Sequence, residues 1–249
     1  MFALANQKGG VAKTTSVHSL GTALAQRGLR VLLVDLDPQA CLTFSAGVDP
    51  DALEQSLHDV MLGRTDAAAV LLKVGDLHLL PATIDLAGAE VHLLSRTGRE
   101  YVLRQALAPL LPDHDVVLID CPPSLGILTI NGLTAAAEVV IPLQCETLSR
   151  RGVGQLLETI ADVRSYTNPD LEVRGVLATM FDGRTRHGRE VLASIEERYG
   201  LPVLEPPVPK SIKVAEAPDQ GRSVLDHAPR GRAAAAYRAL ADVLVPVPA

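Results

Sequence analysis

Tryptophan is absent from the 249 residues and aromatic side chains make up only 3% of them, so the flat stacking platform used to hold single-stranded nucleic acid is missing. No run of about 18 consecutive apolar residues occurs, and so no segment reads as a membrane-spanning helix. The opening Met1-Phe-Ala-Leu-Ala-Asn6 is too short and too uncharged for a secretory signal; a cytoplasmic protein is expected. Cysteine is scarce too. Cys41, Cys121 and Cys145 are odd in number and widely spaced, which favours reduced thiols over a disulfide framework. Seven histidines show no H-x-x-x-H spacing and no G-x-S-x-G elbow occurs, so neither zinc nor serine-hydrolase chemistry has support.

Apolar residues, by contrast, reach 47%, rich in Val, Leu and Ala, which suits a buried parallel sheet covered by helices. A chain of this length buries one sizeable core, and residues 1–249 are expected to form a single domain. Net charge is −6, against a general nucleic-acid binder, but it is unevenly spread. Residues 1–173 hold 12 Lys/Arg against 20 Asp/Glu, whereas 174–232 hold 10 against 8. A local basic patch therefore remains open beside the plain reading of a solvated surface.

The apolar run Phe2–Ala5 leads into Asn6-Gln-Lys-Gly-Gly-Val-Ala-Lys-Thr-Thr15, after which Val17, Leu20 and Leu24 recur at helical spacing up to Gly28. That is a strand, a Gly-rich loop and a helix. Val31–Asp35, Val116–Asp120, Val139–Leu143 and Val173–Phe181 read as further strands, and Val153, Leu156, Leu157, Ile160 and Val163 place one apolar stripe on a helix. The alternation implies an α/β fold, a doubly wound and mostly parallel sheet with helices on both faces. Leu204-Glu-Pro-Pro-Val-Pro209 reads as a strand exit and rigid loop.

A triphosphate needs clustered backbone N–H groups at a helix start, with glycines that let the chain approach closely. Gly9, Gly10, Val11, Ala12, Lys13, Thr14 and Thr15 supply such a loop: Lys13 would neutralise β/γ-phosphate charge and the Thr14 hydroxyl would take one Mg²⁺ position. Gln7 and Ala12 stand where the G-x-x-x-x-G-K-[ST] pattern has glycine. A methyl at Ala12 is expected to need a negative φ. Asp35, Asp37 and Asp120 end strands on the same sheet edge, and three carboxylates beside a phosphate loop favour Mg²⁺ and water over simple helix capping.

Lys8-Gly-Gly-Val-Ala-Lys-Thr-Thr15 resembles the deviant Walker A loop of the ParA/MinD group of P-loop NTPases, with Ala12 as the one departure. Val34-Asp-Leu-Asp-Pro-Gln39, Pro81–Glu90, Ile119–Ser124, Leu128–Asn131, Pro142–Glu146 and Glu216-Ala-Pro218 look like chromosomal Soj-type ParA proteins. The resemblance covers nearly the whole chain and implies an ATPase that dimerises around ATP and Mg²⁺. By that resemblance Lys8 reaches the partner's phosphates, Asp37 orients the attacking water, Asp120 holds Mg²⁺ through water, and Met180 and Pro209 border the adenine. It also implies non-specific double-stranded DNA binding, nucleoid association in the ATP state and a ParB-like centromere-binding partner.

Arg184, Arg186, Arg189, Lys210 and Lys213 form the basic clusters for such DNA contacts, which require only cations on a common face. A MinD-like membrane-positioning ATPase is the competing reading. The tail 233–249, with one Arg, one Asp and a Pro-broken end, carries too little positive charge for it. Iron–sulfur and tyrosine-kinase relatives would need a cysteine pair at a dimer axis or a terminal Tyr cluster, neither of which is evident.

Overall fold

The computed structural model describes residues 1–145 and 149–246; Glu146, the end of the Pro142–Glu146 motif, and residues 247–249 of the tail lie outside them. Eight strands form one sheet: β1 (Phe2–Leu4), β2 (Val31–Asp35), β3 (Leu72–Val74), β4 (Leu77–Leu80), β5 (Val116–Asp120), β6 (Glu138–Gln144), β7 (Glu172–Thr179) and β8 (Val203–Leu204), in the spatial order β3-β4-β2-β5-β1-β6-β7-β8. All neighbours pair in parallel except β3 and β4. Every residue of β1, β2 and β5 is buried, as expected for parallel strands covered on both faces. At the open edge β3 exposes Lys73, a charge that discourages edge pairing.

Two apolar clusters lie against the sheet. One gathers Leu57, Leu86, Leu103, Leu128, Val153, Leu156 and Ile195 against Leu32, Val34 and Ile119. The other brings Val17, Leu20 and Leu24 of the Lys13–Ala25 helix together with Tyr237, Leu240 and Leu244 of the Arg232–Leu244 helix, against Leu4, Leu33 and Leu118. Alternate residues of β2 thus feed opposite clusters, which is the period-two pattern of a strand buried on both sides. Arg27 fixes the last helix by donating to the carbonyls of Ala241 (2.8 Å) and Val245 (2.6 Å).

β1 occupies the centre. From it the chain runs to β2 on one side, beyond β5, and later returns to β6 on the other, so a crevice opens at the carboxyl end of β1. Register pairs Leu4 with Asp120 and Asp120 with Asp35, which puts both aspartates beside the exit of β1. The β3–β4 hairpin, turning at Gly75 and Asp76, was not among the expected strands.

Candidate functional site

The loop leaving β1 is tied down at its start by Asn6. Asn6 donates through Nδ2 to the Pro142 carbonyl (2.7 Å), and its Oδ1 accepts from the Lys8 backbone N–H (3.0 Å). Gly10 has φ +73°, a conformation that costs glycine nothing. Ala12 corrects an expectation: its φ is +60° and ψ +36°, left-handed instead of negative. The position that the family fills with glycine does need glycine geometry, and here an alanine adopts it at a cost of about 1–2 kcal/mol.

Ala12→Gly is therefore expected to stabilise the protein by roughly 0.5–1 kcal/mol, strain relief outweighing the glycine's extra unfolded-state freedom, with hydrolysis preserved. Thermal unfolding of the two proteins checks this, and a lower midpoint for the glycine variant would refute the left-handed assignment.

Beyond the loop, the Lys13–Ala25 helix carries Lys13, Thr14 and Thr15 on its first turn. The Lys13 ammonium is nearly buried and donates to the Lys8 carbonyl (3.4 Å). Burial pulls its pKa below the usual lysine value, while Asp120 and Asp37 oppose that by favouring the charged form. Asp120 is fully buried, and among the described residues neither of its oxygens has a donor in full hydrogen-bond geometry, the Thr14 hydroxyl being the polar group nearby. Burial, reinforced by Asp35, pushes its pKa well up; the nearby Thr14 hydroxyl and Lys13 pull the other way.

Asp35, expected among the metal ligands, is occupied by the chain itself. Its Oδ2 accepts from the Thr43 N–H (2.8 Å) and hydroxyl (2.7 Å), and its Oδ1 accepts from the Asp37 N–H (3.2 Å). Burial raises its pKa to about 6 despite these bonds. Thr43 in turn accepts from the Ala82 N–H (2.9 Å), linking the loops after β2 and β4. Asp35 thus shapes the Asp37 loop, which leaves Asp120 as the carboxylate open to a cation. Asp37 lines the cavity, with Oδ1 accepting from the Gln39 N–H (2.9 Å). Two buried carboxylates, Asp120 and Asp37, face one ammonium, and the Asp120 oxygens beside a threonine hydroxyl suit a hard divalent cation that keeps its water shell.

A cavity of about 770 Å³ opens over Gly9, Lys13, Thr14 and Asp37, and extends past Phe44 and His18 to Pro218 and Arg222. That volume is ample for a nucleotide-sized ligand. Met180 and Pro209 do not line it. They lie on the opposite flank of the loop, toward β7, brought together by the pairing of Phe181 with Pro209. Sequence reasoning missed Thr43, which carries no motif of its own. It also missed Thr179, whose hydroxyl donates to the Val11 carbonyl (3.0 Å).

Arg184 and Lys210 lie on neighbouring loops, whereas Arg186 and Arg189 fall in the Arg186–Tyr199 helix and Lys213 in the Ile212–Glu216 helix. Arg184 is exposed on a turn closed by Asp182, and the Phe181 and Lys210 backbones lace that segment to the next, through Phe181 N–H to Val208 O (2.9 Å) and Lys210 N–H to Phe181 O (3.4 Å). Arg186 is paired with Glu190 and Lys213 with Glu216, both at 2.7 Å, whereas Arg184, Arg189 and Lys210 make no ion pair with the described residues.

Comparison with known proteins supplies the context for this geometry. The AAA domain family matches residues 1–173. The sporulation initiation inhibitor protein Soj of Bacillus subtilis is 42% identical, covering 97% of this chain and 96% of its own length. The chromosome partitioning protein ParA of Caulobacter vibrioides is 41% identical over 98% of this chain and 93% of that protein. Among solved structures, cobyrinic acid a,c-diamide synthase from Mycobacterium smegmatis, with bound ADP and magnesium, superposes with a TM-score of 0.88 at 56% identity, covering 98% of this chain and 92% of that one. With a phosphate loop, an aspartate-lined sheet edge and full-length relatives of this kind, the chain belongs to the ParA/Soj family of P-loop ATPases.

Proposed function

We propose that the chain hydrolyses ATP with Mg²⁺, dimerises in the ATP state, and in that state binds double-stranded DNA without sequence preference as part of chromosome or plasmid partitioning. The observation that carries the catalytic part is the fully buried Asp120 carboxylate beside Lys13 and Thr14 under the loop. Thr14 and Asp120 would hold Mg²⁺, the latter through water. The bound ion would compensate charge on the phosphate oxygens. Lys13 turns from the Lys8 carbonyl toward the β/γ-phosphates. Asp37 orients the attacking water, a positioning role, since phosphoryl transfer asks mainly for in-line geometry and charge compensation. Lys8 serves the second subunit's phosphates, which makes dimerisation depend on nucleotide.

For DNA, the support is the exposed Arg184 beside the Lys210–Lys213 segment on adjacent loops. The Lys213–Glu216 pair is no obstacle, because exposed ion pairs contribute little and exchange readily. A ParB-like protein is the proposed stimulating partner, and the nucleoid the proposed location of the ATP state. A MinD-like membrane role is disfavoured by the last helix. Its apolar residues Tyr237, Leu240, Ala241 and Leu244 are buried against the core, and among the described residues no helix is long and apolar enough to cross a membrane.

A salt titration of DNA binding with a non-hydrolysable ATP analogue tests the reading. Two phosphate contacts per subunit, from Arg184 and Lys213, give a dimer a log–log slope of about −3.6, and Arg184→Ala flattens it by about 1.8 while sparing basal hydrolysis. Liposome binding without DNA binding would favour the membrane role. The 56% identity to a diamide synthase motivates a second reading, ATP-driven amidation of a carboxylic acid. ATP consumption that required both an acid and an ammonia donor would favour it over partitioning.

A further inference from the structure

We infer that Thr179 is a positioning residue for the phosphate loop, holding the left-handed Ala12 from a strand two places away in the sheet. This rests on the nucleotide reading above. A residue's φ and ψ are fixed once the peptide planes on both its sides are fixed. The plane before Ala12 carries the Val11 carbonyl, which accepts from the Thr179 hydroxyl at 3.0 Å; the plane after it carries the Ala12 carbonyl, which accepts from the Ser16 N–H at 3.0 Å. Both anchors are immobilised. Thr179 is fully buried at the end of β7, and Ser16 is fully buried with its hydroxyl 3.1 Å from that of Tyr237, itself the largest fully buried side chain.

A strained backbone persists only where its surroundings over-determine it. Ala12, Ala40 and Met180 are the non-glycine residues with positive φ among those described; Ala12 lies in the loop after β1, Ala40 follows β2 and Met180 directly follows β7. The Thr179–Val11 bond joins two of these corners directly, since Val11 precedes Ala12 and Thr179 precedes Met180. In a loop with glycine at position 12 the left-handed turn would need no such restraint. With alanine there, loss of the Thr179 donor leaves the Val11–Ala12 plane free to rotate toward negative φ. That rotation reorients the Ala12 N–H within the loop that, on the nucleotide reading, would cradle phosphate.

The test measures affinity for a Mg²⁺-loaded, non-hydrolysable ATP analogue by calorimetry in a double-mutant cycle, with thermal midpoints of the nucleotide-free proteins alongside. Thr179→Val, which keeps shape and removes the donor, is expected to weaken binding about tenfold, the equivalent of about 1.4 kcal/mol. Thr179→Ser should restore affinity to within about twofold of wild type. In the Ala12→Gly background the Thr179→Val loss should shrink to about threefold or less, because glycine holds the turn unaided. A valine variant that binds as tightly as wild type, or an equal loss in both backgrounds, would overturn the inference. Should the valine variant fail to fold, Thr179→Ala is measured in its place with the same expectations. If the wild type itself binds no analogue, the nucleotide reading fails instead, and the two failures are told apart by that single control.

Discussion

Lys13→Ala is expected to weaken Mg²⁺–ATP binding by at least about a hundredfold, with hydrolysis falling below detection. Truncating one partner of a desolvated charge pair costs about 2–5 kcal/mol, much of it the penalty of leaving the opposite charge buried and unpaired. Lys13 faces such a penalty on two fronts. Its ammonium would meet the phosphates, and in the free protein it favours the charged form of the buried Asp120. Titration calorimetry with ATP and Mg²⁺ settles the matter; near-normal affinity would mean that the phosphates are held by some other cation, with Lys8 the first to examine.

Asp37→Ala should separate binding from turnover. The carboxylate borders the cavity but forms no part of the loop that cradles phosphate, so nucleotide affinity is expected to stay within a few-fold of wild type while hydrolysis slows by about 10²-fold or more. With the ATP state dimeric, as proposed, the variant should accumulate as a dimer by light scattering, and adding Lys8→Ala should return it to monomer. Wild-type turnover by Asp37→Ala would remove the water-orienting role. A dimer that survives Lys8→Ala would remove the cross-subunit one.

Much of this architecture was readable before any coordinates. Val31–Asp35 and Val116–Asp120 are strands with the expected bounds, since an unbroken apolar run ending in aspartate has few other uses in a parallel sheet. The β3–β4 hairpin escaped because Leu72-Lys-Val74 is too short to show a period, although Gly75-Asp76 between apolar runs is a hairpin signal that could have been used. Within the site, residues bound to a contiguous motif were legible and residues that reach it across the sheet were not. Thr43 and Thr179 act through single hydroxyls on backbone or carboxylate atoms far away in sequence, and no local pattern announces such a contact. Ala12 was misjudged for a related reason: steric preference argues for negative φ, and only the tertiary hydrogen bonds around it reveal why the preference is overruled.

The pairing of the first long helix with the last has a consequence for how the protein is made. Ser16 and Tyr237 stand 221 residues apart, and the apolar face of the Lys13–Ala25 helix is completed only by the Arg232–Leu244 helix. A chain still emerging from the ribosome has made its phosphate loop early but lacks the helix that packs behind it, and contacts so distant in sequence form late. On the nucleotide reading, nascent chains should therefore remain unable to load nucleotide until the Arg232–Leu244 helix has emerged. The order of the elements thus sets the phosphate loop at one end of the assembly sequence and its packing partner at the other.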